Sequence, residues 1–419
     1  MKIVIYGVSR SGKDYLLEKL IHHLNTQNIS AFHIKGSTTL NELSNQLYGI
    51  SLKQASEQQR TILRQKFIDV VDEYAKSYDV VFVDGHYAFI EKMGFNIVLT
   101  DADKYCYDHF FYLDTLTEKI VEFSRKYPRQ PQDLTIQADE IDKWKHFEIK
   151  GLSNICNELN KELVILDENT QSCIEFITCW VKNFHHCFDY PSIAHQLVRD
   201  LVNNHHTKYA EAILLDCDNT LSINDSTYDF CDILGIKKSS LKYIFNGDRY
   251  SSYQFFQVQS LYQKFDDAQL EEAINYAISQ IQLSDDVWQF IEQHKNQSYI
   301  CALTAGIFNI WENKANKLGN IDKVWGNTIH AAQQFFVTPL LKKHIALNFQ
   351  KFGIKVTAIG DSMIDIPMLE SAEYGYIVAH QKLNRAVCQY LSDQLNTNIQ
   401  QIFANEWYYP ITQYEIQGE

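Results

Sequence analysis

The sequence has no apolar run long enough to cross a membrane. Its longest, such as Ala212-Ile213-Leu214-Leu215, are strand-length against the ~20 residues that a span requires. No leader is apparent either: Met1-Lys2 passes straight into Ile3-Val4-Ile5-Tyr6 and a glycine turn, so a cytoplasmic protein with no membrane partner is expected. The nine cysteines are scattered, odd in number and contain no C-x-x-C pair, a pattern that free thiols in a reducing compartment explain better than disulfides or structural zinc. Positive charge is scarce. With 38 Lys and Arg against 52 Asp and Glu, the net charge of −14 disfavours a general grip on nucleic-acid backbone, while small anions held by specific loops remain allowed. No repeat of about 20 to 50 residues recurs, which sets solenoids aside.

What is present suits a globular protein: 45% hydrophobic residues in 419, too long for one ordinary core and suited to two domains of roughly 200 each. Apolar runs alternate with helical stretches. Strands are expected at 2–6, 30–34, 79–83, 109–113 and 162–166, with helices at 14–25 and 57–76 between them; the pattern restarts with strands at 212–215, 299–303, 355–359 and 376–378. This alternation predicts an α/β protein with parallel sheets covered on both faces. The polar stretch 185–208 reads as an ordered linker between domains at 1–184 and 209–419. Its adjacent pairs His185-His186 and His205-His206 are poorly placed to face one metal, so they are read as linker residues.

Two motifs carry chemistry. Gly7-Val8-Ser9-Arg10-Ser11-Gly12-Lys13-Asp14 lies between the first strand and the first helix, the context of a G-x-x-x-x-G-K phosphate loop. Glycines let backbone N–H groups curl inward onto phosphate oxygens; the helix N-terminus adds partial positive charge and Lys13 a full one. Asp14 stands where Ser or Thr usually reaches Mg²⁺. Asp84, at the end of the strand Val80-Val81-Phe82-Val83, is the matching candidate for a second acidic metal contact. Arg125 and Arg129, in a polar stretch with Lys126, are candidates to close over a transferring phosphoryl group, and Arg60 and Arg64, one helical turn apart, to hold an acceptor. Residues 1–182 resemble the phosphate-loop kinase superfamily of the adenylate-kinase-like type, and the resemblance implies ATP binding.

The second motif, Asp216-Cys217-Asp218-Asn219-Thr220, follows the strand 212–215. Two carboxylates at a strand end can point into one site, where Mg²⁺ offsets their repulsion and an ionised Asp attacks phosphorus. Thr304-Ala305-Gly306 ends the next strand, Lys342 or Lys343 offers a cation, and Gly360-Asp361-Ser362-Met363-Ile364-Asp365 places two acids four apart at a strand-to-helix turn. These pieces, over about 209–385, resemble the haloacid dehalogenase superfamily, and more narrowly its phosphoserine-phosphatase-type members. The resemblance implies a Rossmann-like fold with Asp216 as nucleophile and Asp218 as general acid and base. Thr304 and one of Lys342 and Lys343 would then hold phosphate, with Asp216, Asp218 through its carbonyl, Asp361 and Asp365 at the metal. A helical cap is expected at about 222–295, with Arg249, Tyr250 and Tyr253 as candidate substrate contacts.

Together the motifs predict a bifunctional enzyme: an ATP-dependent kinase and a Mg²⁺-dependent phosphatase acting on a small phosphorylated metabolite or nucleotide. The alternatives are a polynucleotide 5′-kinase/3′-phosphatase for end repair, which has the same domain order, and a phosphatase gated by ATP bound to a non-catalytic phosphate loop.

Overall fold

A computed structural model describes residues 1–91, 94–128, 135–245, 250–329, 335–380, 385–393, 399–403 and 406–410. The chain divides into two compact units, Met1–Lys182 and Asn183–Glu419.

In the first unit the strands are β1 (Lys2–Tyr6), β2 (Ala31–Lys35), β3 (Val80–Asp84), a hairpin of β4 (Ala88–Glu91) and β5 (Gly94–Ile97), β6 (His109–Leu113) and β7 (Leu163–Leu166). The main sheet has the order β2-β3-β1-β6-β7, and all its pairings are parallel. Parallel strands need crossovers, supplied by helices such as Lys13–Thr26, Glu57–Ala75 and Ala138–Glu158; Ser56 caps the second of these in a reciprocal box with Gln59. From β1 the chain crosses to the sheet edge at β2, comes back inward with β3 and then passes to the other side of β1 with β6. The carboxyl ends of β1, β3 and β6 therefore flank a switch point, the place where open α/β sheets take ligands. The loop 7–12 and Asp84 both lie at this edge.

The second unit holds β8 (Glu211–Leu215), β9 (Ser298–Ile307), β10 (Lys323–Asn327), β11 (Lys355–Gly360), β12 (Tyr374–Ala379), β13 (Ile399–Phe403) and β14 (Glu406–Pro410). The sheet order is β10-β9-β8-β11-β12-β13-β14, parallel except for the last pair. Between β8 and β9 stand helices Ser226–Ile233, Lys238–Ile244, Ser252–Tyr262, Asp267–Gln280 and Asp285–His294. An antiparallel bridge from Ser222 to Leu283, with Ile223 N–H donating to the Gln282 carbonyl and Ser284 N–H to that of Leu221, pins the two ends of this insertion. The first four helices form the cap. The fifth returns to the sheet, burying Val287 and Ile291.

The stretch 185–208 is largely helical. Residues up to Cys187 complete the helix Thr170–Cys187, in which the division between the units falls, and Tyr190–Asn204 forms another helix. Asp189 caps this helix by accepting from Ser192 N–H, Pro191 sits in its first turn, and it packs on helix Pro339–Lys351. β9 runs past the expected end at 303 to Ile307, because Asn327 of β10 continues the pairing there.

Candidate active site

In the second unit, β8 delivers Asp216 to the carboxyl edge of the sheet, where its N–H donates to the Ile359 carbonyl of β11 at 2.9 Å. The chain then leaves the strand in a wide turn over Cys217–Leu221, with Asn219 at φ 58°, a left-handed conformation that Asn tolerates. Opposite, β11 ends at Gly360, where a Cβ would fall 2.5 Å from that of Asp365; only glycine lets the Asp361–Asp365 turn fold back this tightly. The Asp365 carboxylate accepts from Asp361 N–H, Ser362 N–H and Ser362 Oγ at 3.2, 3.1 and 2.9 Å.

These turns bring Asp216, Asp361 and Asp365 together with carboxylate oxygens within 4.8 Å of one another. Lys342, fully buried in helix Pro339–Lys351, places Nζ 2.6 Å from Asp216 Oδ1 and 2.6 Å from Asp365 Oδ1. Of the two candidate lysines, Lys342 reaches the carboxylates, and Lys343 is half-buried at the next helix position. Burial pushes Asp216 up to about 8, with the Asp365 charge adding and Lys342 opposing. Asp361 is driven well above the usual carboxylate range by burial and then by Asp216 and Asp365; Thr220 Oγ1 donates to it at 3.2 Å. Burial would lower Lys342, but the two carboxylates outweigh it and hold the ammonium charged. With its three acids ionised, the all-oxygen donor set outweighs the one lysine and suits a hard divalent cation such as Mg²⁺.

Asp218 is turned toward the cap. Its Oδ1 accepts from Ser226 N–H and Oγ at 2.7 and 2.6 Å, and its Oδ2 from Trp311 Nε1 at 3.3 Å. Burial and the neighbouring Asp225 push it up to about 7. Thr304 is buried beside it, accepting from Gly306 N–H at 2.9 Å. Sequence reasoning missed Ser226 and Trp311: neither lies in a motif, and Trp311 stands 93 positions from Asp218. A cavity of about 530 Å³ opens over this cluster, lined among others by Asp216, Asp218, Thr304, Tyr250, Gln259 and Phe336. Tyr253 is buried in the cap core, and Arg249 lies outside the described residues.

In the first unit, Gly7 (φ 153°), Arg10 (φ 68°) and Gly12 (φ 93°) give the loop its curl. Lys13 is buried and turns back to donate to the carbonyls of Gly7 and Val8 and to Ser11 Oγ. Ser11 is buried and its carbonyl accepts from Thr115 Oγ1; Ser9 is half-buried, and the Arg10 guanidinium donates to the Tyr127 carbonyl. Asp84 accepts from His33 Nε2 at 3.0 Å and Gly36 N–H at 2.9 Å. Burial raises its pKa, but these partners and the charges of His33 and Lys13 outweigh it and hold the carboxyl below its ordinary value. Asp14 is exposed near both. Arg125 is exposed in the last turn of helix Thr117–Lys126, and Arg129 lies outside the described residues. Arg60 pairs with Glu57 and Arg64 with Asp103, so the structure engages the two arginines separately.

Residues 213–370 match the family of haloacid dehalogenase-like hydrolases. The second unit carries a haloacid dehalogenase-like hydrolase domain. The match runs from β8 into the helix after Asp365, so it contains every carboxylate of the cluster and the cap. Among solved structures, substrate-bound phosphoserine phosphatase is similar at 20% identity over 41% of this chain and 87% of its own, with a TM-score of 0.34. A haloacid dehalogenase family hydrolase from Salmonella enterica serovar Typhi is similar at 15% identity over 51% and 77%, TM-score 0.33. A protein of unknown function from Bordetella pertussis is similar at 14% over 44% and 96%, TM-score 0.36. At this level none of them says what the hydrolase domain acts on. No curated protein matches the sequence. Among the described residues, no helix is long and apolar enough to cross a membrane.

Proposed function

We propose that the second unit hydrolyses small phosphomonoesters through a phosphorylated Asp216. The observation that carries this reading is the buried Lys342 ammonium, held 2.6 Å from both Asp216 and Asp365 beneath the cavity. Asp216, Asp361, Asp365 and the Asp218 carbonyl would hold Mg²⁺, which supplies positive charge that keeps the carboxylates ionised and polarises a phosphoryl oxygen. An oxygen of Asp216 attacks phosphorus as the P–O bond to the alcohol breaks, and Asp218, raised to about 7, gives its proton to the departing alkoxide. Asp218 then takes a proton from water, the hydroxide attacks the aspartyl-phosphate, and inorganic phosphate leaves with Asp216 restored. Lys342, Thr304 and the N–H groups near it offset the charge spread over the phosphoryl oxygens. Phe245, Phe255 and Phe336 on the cavity wall limit water at the acyl-phosphate.

For the first unit we infer an ATP-dependent kinase, supported by the curled loop, the buried Lys13 and their place at the switch point of the sheet. A panel of phosphorylated metabolites, nucleotides and 3′-phosphorylated oligonucleotides tests both units. Release of phosphate from small molecules, lowered by about 10⁴-fold or more in Asp216→Asn, is expected. Wild-type-like release from Asp216→Asn overturns the nucleophile, and preference for oligonucleotide ends moves the reading to end repair. Transfer of labelled γ-phosphate from ATP to the dephosphorylated products tests the kinase.

A further inference from the structure

The cavity over Asp216 has two unlike walls. The carboxyl edge of the sheet supplies Asp216, Asp218, Asp361 and Thr304, and much of the remainder is apolar. Leu241 and Phe245 come from helix Lys238–Ile244 and the residue that ends it, Tyr250 from just ahead of helix Ser252–Tyr262, and Phe255 and Val258 from that helix. Phe336 joins them from the segment before helix Pro339–Lys351. We propose that this wall selects the alcohol of the phosphate ester: the hydrolase domain takes phosphomonoesters whose leaving group carries a flat, uncharged ring, as a nucleoside or an aryl-substituted alcohol does, in preference to short charged alcohols such as serine. The proposal rests on the phosphatase reading of Asp216.

Four of these side chains are rings, and they meet in series. Ring centroids are 5.3 Å apart for Phe245 and Tyr250, 5.4 Å for Phe245 and Phe255, and 6.2 Å for Phe255 and Phe336. All three separations fall in the range of favourable aromatic pairs, so the rings form one surface on which a further ring can stack or set its edge. Phe255 and Phe336 are buried where they border the cavity, and Phe245 and Tyr250 are half-buried. Rings already held by their neighbours lose little freedom when a ligand arrives.

Charge favours the same class of ester. Among the described residues lining the cavity Lys242 is the one cation, and it is exposed on helix Lys238–Ile244. Asp225 is engaged in capping helix Ser226–Ile233, accepting from Thr227 N–H and Tyr228 N–H at 3.0 and 3.2 Å. Phosphoserine would bring an ammonium and a carboxylate against the rings, where a charge without a close partner is costly. A neutral ring sheds little hydration there and gains the contact. Gln259 sets an amide in the same wall, with Nε2 donating to the Thr328 carbonyl at 3.3 Å, a polar group of the kind that orients the edge of a bound ring. The volume of about 530 Å³ lies within the range of pockets that enclose ligands of this size.

The test uses esters of primary alcohols, so that leaving-group chemistry is nearly matched and recognition varies: benzyl, cyclohexylmethyl and propyl phosphate, phosphoserine and adenosine 5′-monophosphate, with the full chain and Mg²⁺. The kcat/KM for benzyl phosphate is expected to exceed those for propyl phosphate and phosphoserine by more than about tenfold, the usual scale of stacking on aromatic side chains. Adenosine 5′-monophosphate above benzyl phosphate assigns the ring to a nucleoside, and the reverse order to a smaller aryl alcohol; both support the proposal. Phe255→Leu and Phe336→Leu, which keep apolar volume, are expected to lower the benzyl-to-propyl ratio by about threefold or more. Calorimetric binding to Asp216→Asn reads the wall without turnover, and benzyl phosphate is expected to bind more than about tenfold tighter than propyl phosphate. Ring preference in that binding with no phosphate release from wild type would overturn the phosphatase reading and keep the ring-selective site. Phosphoserine hydrolysed as well as benzyl phosphate, cyclohexylmethyl phosphate matching benzyl phosphate, or a ratio unmoved in both Leu variants overturns the proposal and leaves the phosphatase standing.

Discussion

Two buried lysines show how differently the units of this chain hold positive charge. Lys13 lies against backbone carbonyls of its own loop, which are neutral acceptors a few residues away. Lys342 lies between two carboxylates that reach it from β8 and from the turn after β11, 126 and 23 positions distant in sequence. The first arrangement holds the ammonium by carbonyl dipoles, with Asp84 and Glu148 near enough to feel its charge. The second makes the ammonium part of the fold, because removing it strands buried acids.

The largest expected effect follows from that contrast. Lys342→Met should cost about 3 to 5 kcal/mol of unfolding free energy, the usual result of removing one partner from a buried ionic cluster, and should abolish phosphate release. Urea denaturation of the variant at neutral pH checks it. A loss below about 1 kcal/mol breaks the comparison, since Lys342 would then be no more structural than a surface ion pair.

A buried base on the same helix sharpens the point. His344, two positions from Lys342, is buried and is lowered to about 4 by desolvation first and then by Lys343 and Lys351, with Asp189 opposing. Its folded value lies below the unfolded value of about 6.5, so between these limits the unfolded chain binds more protons and stability rises with pH. Stability from this group is fully present above pH ~6.5 and falls by about 3 kcal/mol as the pH drops to ~4. Denaturation midpoints at a series of pH values should show this slope in wild type and a shallower one in His344→Gln. Equal slopes would show that His344 carries its proton in the fold.

How much of this was legible in the sequence depended on whether partners are near in the chain. Asp216 and Asp218, Asp361 and Asp365, and Gly7 to Asp14 sit in short strings at strand ends, where apolar runs and glycines mark them. Lys342 and Lys343 look alike in sequence; burial on one face of helix Pro339–Lys351 separates them. Ser226 and Trp311 carry no such mark, since only the cap and the following helix bring them to Asp218. The helix Gly36–Tyr48 opens with Gly-Ser-Thr-Thr, residues of poor helix propensity, and β10 is a five-residue strand held mainly by pairing with β9. β13 and β14 end the sheet in an antiparallel pair that the alternation of strands and helices does not announce.

A smaller effect is expected where Asp218 meets the cap. A Cβ at position 306 would lie 2.6 Å from Asp218 Oδ2 and 2.8 Å from Thr227 Oγ1. Gly306→Ala should therefore push the acid off its partners, costing about 1 to 3 kcal/mol of stability. Phosphate release should fall more than substrate affinity does. A kcat unchanged with KM raised would assign the glycine to substrate access instead.

The smallest effect belongs to the other lysine. Lys13→Ala removes an ammonium whose carbonyl partners return to hydrogen bonding with loop N–H groups or water, so the expected cost is about 1 kcal/mol or less. Urea denaturation followed by probes in both units measures it. A cost as large as that of Lys342→Met would mean that the charges of Asp84 and Glu148 hold Lys13 as firmly as Asp216 and Asp365 hold Lys342. It would then have little to offer a phosphate, and the contrast between the two lysines would vanish together with the kinase reading that rests on it.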